Sequence, residues 1–187
     1  MNAILLIHGL GGYVGQYQPI VKFLKKKGFD KFYQFSYSNR FGFSSLRLAA
    51  KELAEYIDKN VKEDEIDIIA LSQGGIIGLT YLMEHKAKKI NKFFTVCSPH
   101  KGSKLAKILD LPGIVDLRPN SKLIKELEEF VKNSKINLYS IYTPFDLMVF
   151  PGWNAKSAHG KKKIIFAPTH PSAFSWPATI KFIYKNL

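Results

Sequence analysis

The 187-residue chain is poor in cysteine, arginine and acidic groups, and it has no apolar run long enough to cross a bilayer. Each scarcity closes off a kind of chemistry. The single cysteine, Cys97, has no partner for an internal disulfide, and with no H-E-x-x-H segment the sequence offers no metal-ligand framework. Its apolar setting, KFFTVCS, reads as that of a small buried hydrophobe. Lys and Arg total 28 against 15 Asp and Glu, a formal charge of +13, which favours anionic partners in general. Only Arg40, Arg47 and Arg118 supply guanidinium groups, and the lysines are scattered. Nucleic-acid readers depend on Arg forks and clustered basic patches, so no nucleic-acid partner is expected and the lysines read as a solvated surface. The N-terminal MNAILLIHG has no basic n-region and only a short apolar run before His8, and no later segment approaches a membrane span. The expectation is a soluble cytoplasmic protein, although a mature secreted chain carrying a new initiator Met would read identically.

What is present is a chain with 46% hydrophobic residues, enough to bury one core, and no repeat, low-complexity stretch or Gly/Ser linker to divide it. A single domain over residues 1–187 is expected. Short apolar runs alternate with longer segments of helical period, the pattern of parallel strands joined by crossover helices. The strands are read at 3–8, 31–36, 66–71, 92–97, 137–142 and 162–167. Helices are read at about 16–27, 44–59, 73–86, 103–109, 120–132 and 172–185. From Ser44 onward Leu46, Ala50, Leu53 and Ile57 share one face and Lys51, Glu55 and Lys59 another, with Ser44 or Ser45 as N-cap. The fold class is therefore α/β, a three-layer sandwich with a mostly parallel sheet of about six strands.

In such sheets ligands bind beyond the carboxyl ends of the strands. Ser72 follows the strand IDIIAL at once and precedes the helical GGIIGLTYLMEH. The chain must reverse there within a residue or two, which holds the serine in a strained conformation and presents its hydroxyl. Crowding at such a turn explains Ala70 two residues before and Gly74 two after, while Gly75 permits close helix-to-strand packing. The helix start behind Ser72 adds unpaired N–H groups and the positive end of a dipole, suited to developing negative charge. A small-x-Ser-x-Gly match arises by chance in roughly one chain in ten of this length, so its weight comes from lying between a strand and a helix.

The first strand ends in HGLGG, His8 to Gly12. This matches neither the phosphate-cradling G-x-x-x-x-G-K-[ST] loop nor the dinucleotide G-x-G-x-x-G fingerprint, so no cofactor is expected. A glycine loop at a strand end can instead aim an N–H at an oxyanion, the partner an exposed serine nucleophile requires.

With HGLGG, ALSQGG, CSPHKGS, TPFDLMV and PTHPSAF each following a strand, the chain resembles the α/β-hydrolases over nearly its whole length, in particular the compact bacterial lipases and esterases without a large cap domain. Ala70 replaces the commoner first glycine of the elbow, as in some compact lipases. The resemblance implies Ser72 as nucleophile and the main-chain N–H groups of Leu10 and Gln73 as the oxyanion hole. It also implies the order serine, acid, histidine for the triad. Among the histidines, His8 belongs to the glycine loop, His85 lies a helix away, His100 sits in the SPHKG loop, and His159 precedes the last strand. His170, after that strand, is the expected base. Asp146, in the TPFDLMV loop, is the expected acid; Asp67 is inside a strand, Asp58 faces outward on a helix, and Asp110 and Asp116 are weaker candidates.

The implied reaction is hydrolysis of a carboxylic ester through an acyl-enzyme, without metal or cofactor, on a small-molecule ester or lipid. Tyr13, Tyr17, Phe41, Phe43, Phe145, Phe150, Trp153, Phe174 and Trp176 gather in the strand-end loops, where they line an acyl groove or close the core. Residues 105–117 read as a short amphipathic flap, and the lysine-rich surface beside this rim suits an anionic membrane surface. Two other readings share these residues: a non-catalytic lipid- or protein-binding relative, and an acyltransferase or thioesterase using the same serine.

Overall fold

A computed structural model describes residues 2–12, 14–38, 41–85 and 90–187. Six strands form one sheet: β1 (Ala3–Ile7), β2 (Phe32–Phe35), β3 (Ile66–Leu71), β4 (Ile90–Val96), β5 (Leu138–Tyr142) and β6 (Lys161–Ile164). Their spatial order is β2-β1-β3-β4-β5-β6, and every neighbouring pair is parallel. Parallel strands need crossovers, supplied mainly by α1 (Gln18–Lys25), α2 (Leu46–Asn60), α3 (Gln73–Glu84) and α5 (Lys122–Asn133), with the short α4 (Pro112–Val115) before the last. Two helices close the chain, α6 (His170–Ser175) and α7 (Pro177–Asn186).

Alternation along each strand builds a core on both faces. From β1, Ala3, Leu5 and Ile7 join α2, α3 and α5 on one side, and Ile4 and Leu6 join α1, α6 and α7 on the other. All five β1 residues are buried, each of the four Ile and Leu side chains contributing about 1.5–3 kcal/mol of transfer free energy. The result is a three-layer sandwich. The outer strand β6 differs: all four residues are exposed, three of them lysines. Among the described residues no helix is long and apolar enough to cross a membrane.

All six strands stand within two or three residues of the positions read from sequence. Ser45 is the N-cap of α2, its hydroxyl accepting from Arg47 N–H at 3.3 Å. Three helices depart from expectation. Residues 103–109 make only one 3-10 turn, Lys104–Lys107, and the first helix begins with a 3-10 turn, Val14–Tyr17. The segment 172–185 is two helices, because Pro177 pushes Trp176 into an extended conformation (ψ 133°) that ends α6 and starts α7.

The chain leaves β1 for β2 on one side, then returns to place β3 on the other side of β1. That reversal opens a crevice beyond the carboxyl ends of β1 and β3, the usual ligand position in open α/β sheets. HGLGG follows β1, and Ser72 follows β3.

Candidate active site

Ser72 joins β3 to α3 with φ 52° and ψ −124°, a left-handed conformation unusual for a residue with a β-carbon. Hydrogen bonds hold the turn: Ser72 N–H donates to Val96 O (2.8 Å) and Gly75 N–H to Ser72 O (3.0 Å). The glycines behind it have no spare room. A β-carbon on Gly74 would fall 2.4 Å from His8 O and 2.5 Å from Ile7 O, and one on Gly75 would fall 2.0 Å from Ser98 Oγ. The start of α3 is thereby pressed against the ends of β1 and β4. A β-carbon on Gly9 would stand 3.6 Å from Ser72 Oγ, so the glycine loop lies directly beside the hydroxyl.

That loop is strapped from behind. Gly12 N–H donates to Gly9 O (3.0 Å), and the buried His8 donates Nδ1–H to the same oxygen (2.8 Å), leaving Nε2 to accept from Ser36 Oγ (3.2 Å). His8 thus supports the loop, as its position in the motif suggests. The Tyr37 hydroxyl donates to Gly9 O (3.0 Å) and lies 3.3 Å from Gln73 Oε1, its ring stacked on His8 at 4.5 Å. Leu10 is half-buried and Gln73 buried, and both line the crevice with Ser72.

Asp146 and His170 meet although 24 residues separate them in sequence. His170 Nδ1–H donates to Asp146 Oδ2 at 2.7 Å, and both side chains are buried. The other carboxylate oxygen accepts from Met148 N–H (2.9 Å) and Val149 N–H (2.8 Å). With Nδ1–H committed to the carboxylate, Nε2 keeps the imidazole lone pair, the state a general base needs. His170 is the first residue of α6 and not a loop residue; the Thr169–Ser172 capping box fixes that helix start. The Ser72 hydroxyl makes no hydrogen bond to this pair; the cavity beside Ser72 and the smaller one beside His170 share Met148 in their walls.

The weaker acid candidates are engaged elsewhere. Asp116 caps α2, accepting from Ser45 Oγ and Leu46 N–H, both at 2.8 Å, and the exposed Asp110 pairs with Arg118. His100 is buried beside Thr95 Oγ1 at 2.9 Å, and burial pulls it down to about 4, so it is neutral at pH 7. His159 is exposed before β6, and His85 is exposed at the end of α3.

Cys97 is the residue whose surroundings the sequence concealed. It is buried at the end of β4 with φ 50°, and its Sγ lies within 4.8 Å of ligand atoms of both Asp146 and His170. Among the described residues this trio alone gathers three potential metal-ligand atoms. Burial, then the Asp146 charge and a hydrogen bond to it, push the thiol well up and keep it protonated. The carboxylate oxygen and Nδ1–H are already spent on each other, so the trio is wired for hydrogen bonding and not for a cation.

The cavity beside Ser72 has a volume of about 140 Å³ and is walled chiefly by Leu10, Leu105, Leu109, Ile114, Leu117 and Met148. Leu105, Ala106, Leu109, Ile114 and Leu117 bring the 105–117 segment to its wall, and Arg118 pins that segment, donating to Ala106 O and Leu109 O (3.0 Å each) and pairing with Asp110. The aromatic set divides. Phe41, Phe43, Phe145, Phe150 and Trp153 are exposed, whereas Tyr17 and Phe174 pack edge to face in the core and Trp176 packs against it. Tyr13 lies outside the described residues.

Solved structures of like fold include the product of the Listeria innocua gene lin2722 (12% identity, TM-score 0.75, covering 98% of this chain and 92% of that one). The mature Bacillus licheniformis lipase BlEst2 gives 15% identity and TM-score 0.76 over 99% and 91%. Paleococcus ferrophilus monoacylglycerol lipase gives 14% and 0.71 over 98% and 94%. At these identities the likeness establishes an α/β-hydrolase fold. None of the curated proteins matches the chain in sequence. A family model described as palmitoyl protein thioesterase matches residues 3–145, more than half of the length. The chain therefore belongs to the palmitoyl protein thioesterase family, within the α/β-hydrolase superfamily.

Proposed function

We propose that the protein is a serine hydrolase that cleaves esters or thioesters of apolar acyl chains, with Ser72 as nucleophile, His170 as base, Asp146 as orienting acid, and the N–H groups of Leu10 and Gln73 as oxyanion donors. The observation that carries this reading is the left-handed Ser72, standing between a strapped glycine loop and the start of α3, on the same strand-end face as a buried Asp146–His170 pair. His170 Nε2 takes the Ser72 proton as Oγ attacks the acyl carbonyl. The oxyanion forms against the two main-chain donors, and the protonated imidazole passes its proton to the leaving alcohol or thiol. Water, activated by His170, then attacks the acyl-enzyme and frees the acid.

The apolar walls of the neighbouring cavity suit an acyl chain, with few polar groups to orient it. The family match favours thioesters beside oxygen esters as substrates. Exposed Phe41, Phe43, Ile108, Leu147 and Trp153 beside a surplus of lysines support docking on an anionic lipid surface, where sedimentation with vesicles should rise with acidic lipid content.

The test pairs a fluorophosphonate probe, with mapping of the labelled residue, and acyl-chain series of p-nitrophenyl esters and acyl thioesters. The wild type should label at Ser72, and Ser72→Ala should lose labelling and at least about 10⁴-fold in turnover. Unchanged turnover in Ser72→Ala would sink the reading.

A further inference from the structure

The peptide unit between Gly9 and Leu10 carries both the Gly9 carbonyl and the Leu10 N–H, and because it is planar, fixing the direction of one fixes the other. Gly9 O is held from three sides: by Tyr37 Oη at 3.0 Å, His8 Nδ1 at 2.8 Å and Gly12 N at 3.0 Å. Two of these belong to the loop itself. Tyr37 comes from the chain after β2, and its hydroxyl also lies 3.3 Å from Oε1 of Gln73, whose N–H would be the second oxyanion donor. The Gln73 side chain is fully buried and its Nε2 has no hydrogen-bond partner, so the Tyr37 hydroxyl is what anchors that amide. Tyr37 is itself 2% exposed and stacked on His8. One buried hydroxyl therefore touches both halves of the site: the peptide that carries Leu10 N–H and the side chain of the residue that carries the other donor.

We infer that Tyr37 is a positioning residue for the oxyanion hole, an inference that rests on the hydrolase reading above. Its hydroxyl sets the angle of the Gly9–Leu10 peptide and ties that peptide to the first residue of α3. Donation to Gly9 O also polarises the amide, which strengthens Leu10 N–H as a donor when negative charge develops opposite it. Such a role acts on the charged tetrahedral state and leaves the binding of a neutral ester untouched.

Tyr37→Phe removes one oxygen and keeps the ring on His8. Turnover of a p-nitrophenyl ester should fall roughly tenfold, less than the ~10²–10³ lost with a whole oxyanion donor. KM should stay within about twofold, and affinity for a boronic acid that forms a tetrahedral adduct on Ser72 should fall in step with turnover. A folded Tyr37→Phe with wild-type kcat and boronate affinity, or with its loss confined to KM, overturns the proposal. Gln73→Met gives an independent arm, because it removes the other end of the tie while keeping the main-chain N–H. It should lose turnover on its own, and adding Tyr37→Phe should cost little more. No loss in Gln73→Met, or full additivity of the two, overturns the link between the two donors. Failure of the wild type to label at Ser72 would instead remove the hydrolase reading, which keeps the two failures distinct.

Discussion

The loops after β1 and β3 and the loops after β5 and β6 border the same end of the sheet, yet they hold their side chains by different means. The first pair is held by lack of room: Gly74 and Gly75 bring α3 so close to the ends of β1 and β4 that a single added carbon would overlap backbone or side-chain atoms. The second pair is held by hydrogen bonds, with three N–H donors converging on Asp146 from His170, Met148 and Val149. Around that second pair the outer side chains, Phe145, Leu147 and Phe150, are open to solvent. The elbow half should therefore tolerate no added volume. The Asp146–His170 half should tolerate change at its rim but not the loss of a polar partner.

The sharpest break in that comparison is Asp146→Asn, which keeps the volume but cannot hold His170 in the same tautomer. Ester turnover should fall about 10³–10⁴-fold while the cavity beside Ser72 still binds substrate, so kcat should carry the loss and KM little of it. In the other half, Gly74→Ala adds one methyl where main-chain oxygens stand at 2.4 and 2.5 Å. It should cost about 3 kcal/mol of stability, read from a urea midpoint.

His100 gives a third, smaller effect, set by pH. Burial draws its pKa from 6.5 to about 4, so the folded chain refuses a proton that the unfolded chain accepts. Stability is complete above pH 6.5 and falls as the pH drops toward 4. About 2 kcal/mol should be lost between pH 7 and pH 5 in urea titrations, and His100→Gln should flatten that slope. A wild-type stability constant across this range would refute the assignment. The smallest effect belongs to the rim. Leu147, 75% exposed, should change stability by no more than about 0.5 kcal/mol as Leu147→Ser, while vesicle sedimentation weakens.

The same contrast explains what could be read from the sequence. The strands were legible because IDIIAL and its counterparts are short apolar runs bounded by turn residues, and burial on both faces demands such runs. The elbow was legible because its requirements are local: a strand, a serine and small neighbours. The proximity of Asp146 and His170 was open only through resemblance, since a loop and a helix start 24 residues apart meet through β5 and β6 and not through any spacing. Cys97 was invisible for a related reason. KFFTVC looks apolar throughout, and nothing in it signals a left-handed turn or a carboxylate beside the thiol. Tyr37 stands just past β2, at a strand end where ligand-site residues gather, yet its acceptors Gly9 and Gln73 come from two other loops. The break at Pro177 was the reverse case, a local signal outweighed by the long apolar period around it.

The outer strand β6 has a consequence for how the molecule ends. Lys161, Lys162 and Lys163 stand along a border where, among the described residues, no further strand pairs with β6 on its far side. A second copy laying its own β6 alongside would bring the lysines of both strands together, an unfavourable like-charge contact. Charge on that border thus opposes β6-to-β6 extension of the sheet.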